Sequence, residues 1–149
     1  MHRECVQSVM VYGSKTWALR VEDIRRLERT EMMMVKMMCG VTLKQRLSNK
    51  DLLECMGIAN VSNVMRITRL RWLGQVERMP AEHWVSRCRS LVVDGTRGRG
   101  SGRKTWSECL MGDTSVVDLK AADARDRRAW KQGIMRKPSD LRKRGTNTR

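Results

Sequence analysis

The sequence predicts a mainly α protein: a small helical bundle with a central helix at 61–79, then a Gly/Arg-rich linker, a C-terminal helix and a disordered basic tail. Three observations lead there. In VSNVMRITRLRWLGQVERM, residues Val61, Met65, Thr68, Trp72, Val76 and Met79 fall at helical spacing, about 100° per residue, while Ile67, Leu70 and Leu73 lie off that stripe. A helix apolar over so much of its circumference is usually covered on several sides. The stretch from Val21 to Cys39 carries a second stripe, and the connections between 40 and 60 are short enough to make antiparallel neighbours.

Taken in order, residues 3 to 12 are apolar enough for a short buried helix, or for a strand through Val9, Met10, Val11 and Tyr12, ended by Gly13 and Ser14. The helix from Val21 to Cys39 has Glu22 and Asp23 in its first turn and Gly40 beyond its end, which suits the macrodipole and the C-terminal glycine preference. Its inner stripe is Ile24, Leu27, Met34, Val35 and Met38, and the Met32 to Met38 run reads as loose core or as a partner groove. Ser48 or Asn49 caps a short helix through Cys55, terminated by Gly57. The central helix starts at Asn60 or Ser62 and stops before Pro80, which lacks the N–H to continue it. Ala81 to Val93 reads either as helix or as strand. Asp94 to Lys104 packs four Gly, three Arg and one Lys into a mobile basic linker. A short helix at Thr105 to Met111, a break at Gly112 to Ser115 and a helix from Asp118 to Met135 follow. The expected organisation is a core domain at 1–93, a linker at 94–104, a helical segment at 105–135 and a disordered tail at 136–149.

Within 149 residues, 31 basic side chains face 16 acidic ones, a net charge of +15. Residues 1 to 57 hold ten bases and seven acids, 58 to 112 ten and four, and 113 to 149 eleven and five, so the positive field grows toward the C-terminus. Such a balance favours a polyanionic partner, most commonly nucleic acid. Twelve Met and no Phe specify a core weakly. Five Cys with no CxxC pair, no leader pattern and no apolar run near the ~20 residues of a membrane span suggest a reduced intracellular protein, nuclear or cytoplasmic, without a membrane partner. A zinc finger needs two pairs of ligands, each pair two to four residues apart, and two such pairs do not occur here; His2 and His83 lie in no motif that would position a nucleophile. No cofactor and no small-molecule substrate are expected.

The candidate nucleic-acid contacts are Arg69 and Arg71 on the central helix, Arg97, Arg99, Arg103 and Lys104 in the linker, Trp106 beside it, and Arg142, Lys143 and Arg144 in the tail. Basic side chains interleaved with Gly can follow a phosphate backbone, and an indole can stack on an exposed base. Each has a plainer reading: the helix arginines as partners of acids such as Glu77 and Glu82, the linker as a solvated spacer, the tail as a disordered segment with no role, and Trp106 as a core anchor; Trp17, Trp72 and Trp130 have the same two readings, base stacking or core.

Four elements in order resemble the region that follows the polymerase in non-LTR (LINE-type) retrotransposon proteins. Tyr12, Gly13, Ser14, Thr16, Trp17 and Leu19 are similar to its YGSETWxL element, and RLRWLGQVERMP to its RLRWLGHVxRMP. Gly100 to Trp106 resembles GRPRKTW, and Ala124, Asp126, Arg127, Trp130 and Lys131 resemble AxDRxxW(R/K). Lys15 departs from the family's Glu, Gln75 from its His, and Ser101 and Gly102 from its Arg and Pro. The resemblance implies a fragment C-terminal to a reverse transcriptase. Polymerases of that kind hold two metal ions on adjacent Asp residues, and no two Asp are adjacent here. The chain is therefore expected to be non-catalytic and to bind RNA or DNA without sequence preference. The alternatives are a helical interaction module that packs on a polymerase body or another protein, and a translated remnant with no selected activity.

Overall fold

The structure, a computed structural model, describes residues 2–41, 45, 47–91 and 104–136. Among these residues every regular element is helical, as expected: α1 (Ser8–Met10), α2 (Val21–Met38), α3 (Asn49–Cys55), α4 (Val61–Glu77), α5 (Trp84–Ser90), α6 (Trp106–Val117) and α7 (Arg127–Ile134). A π turn covers His2–Gln7, and 3-10 turns cover Ser14–Thr16 and Ala121–Arg125.

Local chemistry accounts for most of the boundaries. Asp23 reaches back to accept from the Arg20 amide at the start of α2, and Gly40, at φ 62°, closes its end in the left-handed region. The Ser48 hydroxyl accepts from the Lys50 amide at α3, and Asn60 Oδ1 accepts from the Ser62 amide at 2.9 Å to start α4. The segment after Pro80 is helical rather than strand: His83 Nδ1 accepts the Val85 amide and begins α5. Thr105 and Glu108 form a reciprocal capping box on α6, and Asp126 Oδ1 accepts from the Arg128 and Ala129 amides at the head of α7.

The expected break at Gly112 to Ser115 does not occur. Helix α6 runs through it, because the Thr114 hydroxyl bonds the Leu110 carbonyl and the Ser115 hydroxyl bonds the Gly112 carbonyl, satisfying both side chains within the helix. The chain turns at Asp118, whose φ of 52° ends α6, and the last helix begins at Arg127 instead of Asp118.

Two compact units form, Met1–Arg66 and Ile67–Arg149, so the division falls inside α4 and not at the linker expected to bound a 1–93 core. The cause is packing: Leu70 and Leu73 of α4 share an apolar cluster with residues of α6 and α7. In the first unit Val35, Leu52 and Ile58 form the cluster, flanked by Met32, Val41 and Leu53. Glu31, buried beside it, accepts from Gln7 Nε2 and from the Val61 amide, each at 2.9 Å. Two expectations fail in this unit. Tyr12 is 83% exposed and Val9 is exposed too, while Gln7 and Ser14 are buried. Met38, placed on the inner stripe of α2, is exposed, and Glu31 stands inside instead.

In the second unit Leu70, Leu73, Leu110, Val117, Ala124, Trp130 and Ile134 are buried together, with Ile67, Trp106 and Leu119 packed against them. Trp130 is a core anchor, as one of its two readings had it. Its Nε1–H donates to the Leu70 carbonyl at 3.0 Å, and its ring crosses α4 at Gly74. A Cβ on Gly74 would lie 2.7 Å from Trp130 Cδ1, so a mid-helix glycine that costs about 1 kcal/mol in propensity is what lets the indole approach.

Candidate nucleic-acid interface

Four of the ten candidate contacts lie among the described residues: Arg69, Arg71, Lys104 and Trp106. Arg97, Arg99, Arg103, Arg142, Lys143 and Arg144 lie outside them, as do most of the linker and the tail to which they were assigned.

Arg69 is corrected. It is 4% exposed, and its guanidinium grips Asp113 of α6 through Nε at 2.7 Å and Nη2 at 3.3 Å, a two-pronged pair inside the second unit. A side chain held this way cannot reach a phosphate without breaking that unit. Arg71, two residues on and about 200° around the helix, is exposed and makes no ion pair among the described residues. Lys104 is exposed as well. Trp106, expected beside the linker as a stacking candidate, is the first residue of α6 and half-buried against the apolar cluster. Two further arginines serve structure: Arg78 donates to the Ala124 carbonyl at 2.7 Å, and Arg89 pairs with Glu77.

A second cluster of exposed bases lies on and around α7, and the sequence reading passed over it. Trp130, Gly133 and Ile134 are buried, and Arg125, Arg127, Arg128, Lys131 and Arg136 are exposed. Lys131 stands four residues from Arg127 and three from Arg128, which puts the three on neighbouring positions of the outer surface. The acids among them are occupied with backbone: Asp123 accepts from the Lys120 amide at 2.8 Å and Asp126 caps α7. Neither carboxylate pairs with these bases, so their charge is left to solvent. The signal was available in the order Arg-Arg-Ala-Trp-Lys-Gln-Gly-Ile, whose apolar members recur at 130 and 134 and leave the bases facing out.

The first unit offers a different surface. A groove of about 1330 Å³ runs along α2 and α3, lined by Met32, Met33, Met37, Leu47, Leu53 and Ile58, with both bases (Arg25, Arg29, Lys36, Lys50) and acids (Glu28, Glu31, Glu54) among its polar residues. Met37 is 75% exposed, and Met33 and Leu47 are also exposed.

Among the described residues no three His, Cys, Asp or Glu side chains are grouped so as to hold a metal ion, and no helix is long and apolar enough to cross a membrane. No family model, no curated protein and no solved structure matches this chain.

Proposed function

We propose that the protein is a nucleic-acid-binding module that grips RNA or DNA through phosphates, without sequence preference and without a catalytic step. One observation carries the reading: from Asp123 to Arg136 the two acids are engaged by backbone amides, while five bases project into water. The resemblance to the region following a LINE-type reverse transcriptase supports it, since such a module would hold template or product for a polymerase encoded in the same polyprotein.

Electrostatic gripping has a measurable signature, because each neutralised phosphate releases counterion. A titration of the full chain with a single-stranded oligonucleotide at several salt concentrations is expected to give a log-log slope of about −3 to −4, the value for roughly 4 to 6 contacts. Reversing the surface charge in Arg127→Glu, Arg128→Glu and Lys131→Glu together should flatten that slope by about 2 while the circular dichroism stays unchanged. Binding that ignores salt, or that is missing altogether at about 50 mM salt, would end the proposal.

The groove in the first unit favours a second reading, a helical interaction module. Exposed Met and Leu side chains on one face suit the apolar side of an amphipathic helix. A hydrophobic dye should then bind the full chain and lose most of its signal in Met33→Glu, Met37→Glu. A monomer that binds no dye removes this reading.

A further inference from the structure

The most exposed large ring after Tyr12 belongs to Trp84, which is 70% exposed, although indoles are generally well covered. The chain's other tryptophans show the contrast: Trp130 is buried, and Trp17, Trp72 and Trp106 are partly covered. Trp84 is also held in place. The His83 ring stacks on it with centroids 5.9 Å apart and planes 29° from parallel. That imidazole is itself tied down, since its Nδ1 accepts the Val85 amide as the cap of α5. An indole braced on one side and bare over most of its surface has already given up conformational freedom that a mobile side chain would lose on binding.

The charge around it narrows the ligand. Helix α5 reads WVSRCRS, with no acid and two bases, of which Arg89 is taken up by Glu77. Arg87, exposed, stands three residues from Trp84, the spacing of neighbours on one helix face. A flat apolar ring beside a guanidinium matches a nucleotide, whose base offers a π-face and whose phosphate offers the negative charge. Bases inside a duplex are already stacked on one another, so only an unpaired base can cover the indole.

We infer that Trp84, braced by His83, is a stacking platform for an unpaired nucleobase, and that it gives the protein a preference for single strands over duplex of equal length. The inference rests on the nucleic-acid reading above and adds the class of ligand, through a residue outside the α7 basic surface.

The test uses the full chain with a short oligothymidylate and with a DNA duplex of the same length. Trp84→Ala is expected to weaken oligothymidylate binding roughly 5- to 150-fold, the range for losing one base–aromatic stack, and to leave duplex binding unchanged. Trp84→Tyr should retain most of the affinity. Indole fluorescence should be quenched by oligothymidylate in the wild-type chain and much less in Trp84→Tyr. Equal loss on single strand and duplex, or no loss on either while the salt dependence persists, overturns the platform and leaves the cationic grip standing. A change confined to self-association would likewise overturn it, by making Trp84 a protein contact. Failure of the wild-type chain to bind either probe overturns both readings.

Discussion

Trp130→Ala is expected to destabilise the second unit by about 3 to 5 kcal/mol, the range for removing a buried Trp or Phe. The variant loses the apolar area of a 3% exposed indole, leaves a cavity against Leu70 and Leu73, and strips the Leu70 carbonyl of its side-chain donor. Against a typical total stability of about 5 to 15 kcal/mol, a loss of this size leaves little folded protein at moderate urea, and the unfolding midpoint reads it directly. Gly74 supplies an internal check. In the wild-type chain Gly74→Ala should cost about 1 to 3 kcal/mol through overpacking, because the new methyl meets the Trp130 ring. In the Trp130→Ala background the obstacle is gone, and the same substitution should instead stabilise by up to about 1 kcal/mol through helix propensity. Additive effects in the double variant would show that the two residues do not touch.

Asp113→Ala should cost a comparable 3 to 5 kcal/mol, about the penalty for stranding one member of a buried ion pair. The Arg69 side chain is 5% exposed and its Nη1 already finds no hydrogen-bond partner, so losing the carboxylate would leave a guanidinium in a dry site with no counter-charge. Replacing both residues, as Arg69→Met with Asp113→Leu, should recover most of the loss, since apolar groups of similar volume avoid desolvating either charge. The pair also separates structure from binding. The double variant should hold RNA or DNA with the wild-type salt slope, because Arg69 faces α6 and contributes no phosphate contact. A slope reduced by about 1 would return Arg69 to the binding surface. A loss under about 1 kcal/mol for Asp113→Ala is the value for an exposed pair and would contradict its burial.

Several features were legible in the residues because they depend on near neighbours. The starts of α3 and α4 follow from Ser48 and Asn60, the end of α2 from Gly40 and the end of α4 from Pro80, all within a turn of the boundary they set. The same locality misled at Gly112, where Gly, Thr and Ser together resemble a break. The capping box at Thr105 had already started the helix, and two hydroxyls found carbonyls within it, so α6 continued. On α2 a run of methionines is nearly uniform in hydrophobicity, so periodicity could not say which would be covered. Packing left Met33, Met37 and Met38 in water and drew Glu31 inside, where the Val61 amide and Gln7 satisfy it.

The candidate interface divides the same way. Arg69 and Arg71 look alike in RLRW, and Trp84 and Trp106 look alike as single indoles beside basic stretches. The sequence by itself determined the helical class, most helix ends and the rising positive charge, since capping and summed charge need no knowledge of distant residues. The tertiary structure alone decided that Arg69 belongs to Asp113, 44 positions away, that Trp130 lies on Gly74, and that Trp84 and the bases of α7 face water. Those outcomes turn on which surfaces meet when the chain closes on itself, and burial is a property of that meeting rather than of any residue's own chemistry.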